Sequence, residues 1–193
     1  MNDLQTEAQR RKAIAWAIAL MADTELAPDH YETDLLESYA QGSLTLAEVL
    51  HTLDHRVHHL LYRSQAVAPL SEADLAGLVE QSREWNDRHH ITGLLCYSQG
   101  HFVQVLEGSA TDVHALYARI RRDKRHCQVQ TLSDSATATR WFADWRMAFV
   151  GLEPTEFYWL LGYLEAKGHN LVKPQVPIDS PHITTLLQAF SQV

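Results

Sequence analysis

Two apolar stretches separated by only two residues constrain this chain more than any other feature. ITGLLCYS, from Ile91 to Ser98, and HFVQVLE, from His101 to Glu107, both have strand character. Gln99-Gly100 between them leaves room only for a tight connection, so the pair forms a hairpin. The flanking segments repeat a pattern. HLLYRS, starting at His59, is a short apolar run with an aromatic and predicts a first strand. Pro69 and Ser71 then open a helix, with Asp74 as the acid of its first turn. Leu75, Leu78, Val79, Ser82 and Trp85 lie along one face of it. After the hairpin, Ser109 to Asp123 predicts a second amphipathic helix, with Val113, Leu116, Tyr117 and Ile120 on one face. Gln128 to Leu132 predicts a fourth strand and Trp145 to Val150 a fifth. The order β-α-β-β-α-β plus one strand is the split βαβ, ferredoxin-like arrangement, an α+β fold. Its two helices are expected on one face of the sheet. The first and third strands are expected as central neighbours running parallel.

Both ends of this unit read as helical. Before residue 58, Ala, Leu, Glu and Gln dominate, and only Pro28 and Gly42 interrupt. Helices are expected from Glu7 to Ala22, from Asp29 to Gln41 with Gly42 as a left-handed terminator, and from Ser43 or Thr45 onward. Thr45 and Glu48 have capping-box spacing, and Leu46, Val49, Leu50, Leu53 and Val57 follow with helical period. Beyond residue 152 a helix is expected near Glu156–Ala166, then a loop with Pro174, Pro177 and Pro181, then a short helix over Thr184–Phe190. The expected division is a helical extension over 1–57, a central domain over 58–152 and a helical tail over 153–193.

With 193 residues, the chain has room for about 1.3 average domains, one full domain plus appendages. Subtracting 24 Asp+Glu from 16 Lys+Arg leaves a charge of −8, which argues against direct nucleic-acid binding. Cys96 and Cys127 are too few for a disulfide framework or a cysteine-rich zinc site. The longest apolar run, Ala13 to Ala22, is too short to span a bilayer. Asp3, Glu7 and the missing A-x-A site argue against a signal peptide, so a cytoplasmic location without membrane association is expected.

The residues that can carry chemistry sit on the central strands. Alternation places Leu60, Tyr62 and Ser64 on one face, and Phe102, Gln104 and Leu106 on one face. Gln104 is then a primary amide among apolar neighbours and needs partners for its donors and its carbonyl; Tyr62 on the next strand can supply a hydroxyl. A satisfied polar pair in the core is the simpler reading of the two. Asn86 follows Trp85 at the end of a helix: its amide can stop that helix, or read the edge of a planar heterocycle on which Trp85 can stack. His51, His55 and His59 are spaced i, i+4, i+8 with His58 adjacent, and His89, His90 and His101 flank the hairpin. No HExxH or completing carboxylate accompanies either set, so no metal is expected. GxxxxGK[ST], GxGxxG and GxSxG are absent, and no enzymatic activity is expected.

Five segments in order, LLYRS, WNDRHHITGLLCYS, HFVQVLEG, YARIRRDKRH and FADWRMAF, resemble the BLUF domain, a flavin-binding blue-light sensor. The resemblance covers Leu60 to about Leu152. It implies that Tyr62 is the donor of an electron and proton, that Gln104 is the switch glutamine, and that Asn86 hydrogen-bonds the flavin ring edge. It also implies that Met147 and Trp145 compete for a place near that glutamine. Arg119, Asp123 and His126 match positions along the cofactor, and Ser64 and Trp85 complete the expected contact set. Trp85 departs from the family, whose members often carry His or Asn there; a Trp can stack on the ring or compete with Tyr62 as electron donor. FAD is the implied cofactor, with FMN and riboflavin bound similarly at the ring edge.

The stretches RRKAIAWAIALMADTELAP and LLESYAQGSLTLAEVL bear a weaker resemblance to small helical antitoxins that restrain Fic-type adenylyl transferases. Glu25 is kept, but Met21 and Leu26 break the inhibitory signature. A cap or dimerisation arm built on Ile14, Trp16 and Leu20 is the alternative. The chain is thus expected to be a blue-light receptor that signals through an unidentified protein partner, with a homo-oligomer expected. The competing expectation is a light-insensitive interaction module on the same fold.

Overall fold

A computed structural model of the chain describes residues 6–24, 26–165 and 180–190. Glu25, Pro174 and Pro177 lie outside the described residues. The chain divides into two compact units, one built on the residues before Val57 together with Ala136–Ala138, the other on the rest.

The first unit holds α1 (Glu7–Met21), α2 (His30–Gln41) and α3 (Leu46–Asp54). Each starts on a reciprocal capping box: Thr6 with Gln9, Asp29 with Glu32, and Thr45 with Glu48. Gly42 ends α2 at φ +83°, returning its N–H to Ser38 and Tyr39 carbonyls. Arg11 makes a bidentate pair with Glu37 at 2.8 and 2.7 Å, and Arg10 Nε donates to the Ala40 carbonyl at 3.0 Å. Trp16 and Leu20, expected as packing residues, are 68% and 62% exposed.

The second unit carries β1 (Val57–Ala66), α4 (Glu72–Arg88), β2 (Thr92–Ser98), β3 (His101–Gly108), α5 (Ala110–Arg122), β4 (His126–Thr137) and β5 (Ala148–Gly151). Helices α6 (Pro154–Glu165) and α7 (Pro181–Phe190) follow. One sheet runs β4-β1-β3-β2-β5, the α+β, ferredoxin-like order with a fifth strand. The expectation of parallel central strands fails. β1 and β3 are antiparallel, from His58 opposite Gly108 to Gln65 opposite His101. The cause is the split βαβ itself: the α4 crossover returns β2 in the direction of β1, and the hairpin then reverses β3 into the gap between them. β5 adds parallel to β2, pairing Leu94 with Ala148 through Tyr97 with Gly151. It starts after Trp145, because Trp145 N donates to the Phe142 carbonyl and closes a turn there. β4 extends beyond the expected Gln128–Leu132 at both ends.

Both sheet faces are covered, which is why the strands read as nearly continuous apolar runs. On one face Leu60, Tyr62, Leu95, Phe102 and Leu106 meet Val79 of α4 and Val113, Leu116 and Tyr117 of α5. On the other, Leu61, Leu94, Cys96, Val103 and Val105 meet Phe157, Leu160 and Leu164 of α6 and Ile183 and Leu186 of α7. The tail is therefore part of this fold. Among the described residues, no helix is long and apolar enough to cross a membrane.

Candidate functional site

On the face covered by α4 and α5 the packing is incomplete. A cavity of about 290 Å³ opens between the two helices above β1, β2 and β3. That is at the lower end of small-molecule sites. Tyr62, Leu95 and Gln104 line it from the strands, Trp85 and Asn86 from α4, and Arg119 from α5. Asp123, Arg125 and His126 line it where α5 passes into β4.

The strand wall is a buried relay. Tyr62 and Gln104 are cross-strand partners, so their side chains leave the same face together. Tyr62 Oη donates to Gln104 Oε1, and Gln104 Nε2 donates to Met147 Sδ at 3.4 Å. Burial pushes the Tyr62 phenol above its ordinary range, so it stays protonated. Its ring lies 5.1 Å from that of Tyr117. Gln104 is 6% exposed and has spent one N–H and one lone pair; the amide has one more of each.

The helix wall holds two polar atoms in want of partners. Asn86 is 1% exposed. Its Nδ2 donates to the Arg146 carbonyl at 2.6 Å, while its Oδ1 is buried with no hydrogen-bond partner among the described residues. Trp85 Nε1 beside it is also buried and unpartnered. An unmet buried acceptor costs about 1–3 kcal/mol. A donor and an acceptor standing together on one cavity wall match the edge of a ring that offers both C=O and N–H. The Trp85 indole is stacked on His89 at 4.3 Å, with the Arg119 guanidinium 4.4 Å from its ring centre.

At the far end, Arg125 bonds Asp123 at 2.6 Å and holds its carboxyl down to about 2. Burial pushes His126 below the usual histidine range, and its Nδ1 meets Ser64 Oγ at 3.1 Å. The imidazole is therefore neutral at neutral pH.

Tyr62, Trp85, Asn86, Gln104, Arg119, Asp123 and His126 thus share one cavity, and Met147 is bonded to Gln104 behind it. Ser64 and Trp145 do not line it. Ser64 reaches the site only through His126. Trp145 is 36% exposed and packs 4.3 Å from the His182 ring, so methionine, not tryptophan, stands at the glutamine. Three contributors were not anticipated. Leu95 lies opposite Gln104, a register that the two-residue Gln99-Gly100 turn sets. Arg125 fixes Asp123, and the Asp-x-Arg spacing is the available signal. Arg83 Nε donates to the Met147 carbonyl at 3.2 Å; standing three residues before Asn86, it shares that helix face. Arg83 and Asn86 together suspend the Arg146–Met147 backbone from α4.

The family model BLUF, sensors of blue-light using FAD, matches residues 57–148. The photoactivated adenylate cyclase subunit beta of Euglena gracilis is 42% identical over 81 residues, covering 42% of this chain and 9% of that protein. Its counterpart in Euglena longa is 37% identical over 97 residues, covering 50% and 11%. The chain therefore spans about a tenth of the length of these relatives. The dark-state structure of the BLUF protein BlrB is 29% identical with a TM-score of 0.51, covering 70% of this chain and 98% of that one. A bacterial light-regulated adenylyl cyclase is 28% identical with a TM-score of 0.50, covering 70% and 34%. Residues 57–148 thus match the BLUF family of blue-light sensors.

Proposed function

We propose that this chain binds FAD in the α4/α5 cavity and signals blue light by reorienting the Gln104 amide. One observation carries the reading: the buried chain from Tyr62 through Gln104 to Met147 faces, across the same cavity, the unpartnered Asn86 Oδ1. The donors and acceptors suit a flavin ring edge: Asn86 Oδ1 accepts from a ring N–H, and Trp85 Nε1 and the spare Gln104 N–H donate to ring acceptors. Bound there, a flavin supplies absorption of blue light and, once excited, a strong pull on an electron from a nearby phenol.

The chain's own residues do the rest. Tyr62 is the phenol. Its proton rests on the bond to Gln104 Oε1, so movement of that proton and orientation of the amide are tied. An amide carries both donors and an acceptor and can hold two discrete patterns. Turning it over places Nε2 toward the Tyr62 oxygen and Oε1 toward the Met147 sulfur. Oxygen and sulfur are both acceptors with no hydrogen between them, so Met147 is driven out of contact. Its carbonyl hangs from Arg83 and its neighbour's from Asn86, and the displacement passes to β5. Arg119 and Trp85 guard the cavity mouth, and Asp123 with Arg125 keeps it polar.

No chemistry on a substrate is assigned to the chain. The output is a change of protein contacts in the cytoplasm, with the 58–152 domain as sensor. The 1–57 helices act as an arm toward a partner or a second copy, and the 153–193 tail as backing for the sheet. The absorption spectrum of the purified chain, in the dark and just after blue light, tests this. A flavin spectrum that shifts slightly red and relaxes in the dark is expected. A protein that stays colourless after reconstitution with FAD would leave the interaction-module reading in its place.

A further inference from the structure

Away from the cavity, three side chains from three elements converge. His58 stands at the start of β1, His114 on α5 and Asp134 on β4, with side chains 14%, 49% and 44% exposed. His58 Nε2 lies 2.5 Å and His114 Nε2 3.2 Å from the same Asp134 Oδ1. The two rings meet edge-on, with centroids 4.5 Å apart. One ligand atom from each residue falls within 4.8 Å of the others. No sequence motif reveals this set, because 56 and 20 residues separate its members and only the pairing of β4 with β1 under α5 unites them.

We propose that His58, His114 and Asp134 form a binding site for a divalent zinc-like cation. Two imidazoles and one carboxylate are the nitrogen and oxygen donors that Zn²⁺ takes, and three protein ligands leave a fourth position for water. A tetrahedral ion with bonds of about 2.0–2.1 Å needs ligand atoms roughly 3.3 Å apart. His114 already stands at that spacing from Asp134, at 3.2 Å, and His58 must draw back from 2.5 Å to admit the ion. The cluster lies at the solvent edge, which gives an entry path. An ion there would tie β1, α5 and β4 together. His114 is also three residues from Tyr117, whose ring touches that of Tyr62. The site does not depend on whether a flavin occupies the cavity.

The full chain is titrated with ZnCl₂ by calorimetry at neutral pH in a non-chelating buffer. One equivalent per chain is expected, with a raised Tm in the presence of the ion. His114→Ala and Asp134→Asn each weaken this binding by about tenfold or more, as loss of a ligand does. Both residues are largely exposed, so the variants fold, and circular dichroism verifies it. His51→Ala with His55→Ala, which removes the helix-borne pair in the other unit, leaves the equivalent intact. Absence of stoichiometric binding overturns the proposal and reduces the cluster to a hydrogen-bonded strand tie. So does an equivalent that survives in both His114→Ala and Asp134→Asn.

Discussion

Asn86 is satisfied at one end of its amide and bare at the other. A helix residue held this way costs stability for no structural return, unless a ligand completes it. Asn86→Ala is therefore expected to weaken flavin binding roughly ten- to hundredfold, the equivalent of about 1.4–2.8 kcal/mol. A fluorescence titration with FAD measures it, and unchanged affinity would place the ring edge elsewhere. Tyr62→Phe and Gln104→Leu act differently. Each keeps the apolar shape of the wall, so flavin is retained, but each removes one end of the Tyr62–Gln104 bond. Neither variant should show the red shift after blue light; a shift that survives in either sinks the assigned switch. Much of this was legible at the level of residue types. Alternation already put Tyr62 and Gln104 on definite faces of neighbouring strands, but that they stand opposite each other depends on the antiparallel register. The unmet Oδ1 of Asn86 was not legible, because it depends on where the Arg146 carbonyl arrives.

At the scale of elements, the hairpin is the firm part of the sequence reading and the strand directions were its weak part. Apolar alternation locates β1, β2 and β3, but direction in a split βαβ is set by the crossover, which no local pattern records. The tail was equally opaque. Phe157, Leu160 and Leu164 show only that α6 is apolar; that it covers the second sheet face follows from Leu61, Cys96 and Val103 facing away from α4 and α5. One strand position reports directly on how tightly β2 and β3 are joined. Gly93 has φ +157°, and a Cβ there would stand 2.0 Å from the Val105 carbonyl oxygen. No rotamer relieves a clash with backbone, so Gly93→Ala must spread the two strands beneath the cavity. A loss of roughly 2 kcal/mol or more is expected in urea unfolding. A variant as stable as the parent would mean that the strands do not approach this closely.

For the whole molecule, the telling group is His59, buried where the segment after β4 returns to the sheet. Its ring packs edge-on at 4.1 Å against Trp141 and lies 3.5 Å from the buried carboxylate of Glu107. Burial pushes the imidazole down to about 3, against the pull of the Thr139 backbone and with a smaller push from His58 and Arg140. At neutral pH the contact with Glu107 thus involves a neutral imidazole and is not an ion pair. Glu107 finds its partners elsewhere: the Trp141 and Phe142 N–H groups at 2.7 and 3.0 Å, and Thr92 Oγ1 at 2.9 Å. Below the ordinary histidine value of 6.5 the unfolded chain takes up a proton that the folded chain refuses until about pH 3. Stability must therefore fall with acid across that window, with a slope approaching about 1.4 kcal/mol per pH unit. Glu107 works in the opposite sense. Burial raises its carboxyl, so the folded state holds that proton more firmly, and acid returns some stability as Glu107 protonates. The two are separated by comparing the parent with His59→Gln, in which Glu107 and its backbone donors are kept. Urea unfolding at pH 7, 6 and 5 should show the parent losing about 1 kcal/mol more per unit than the variant, in keeping with a single refused proton. Parallel pH profiles would mean that folding leaves His59 at its ordinary value, and a parent that gains stability relative to the variant as pH falls would mark the histidine as a true ion-pair partner of Glu107.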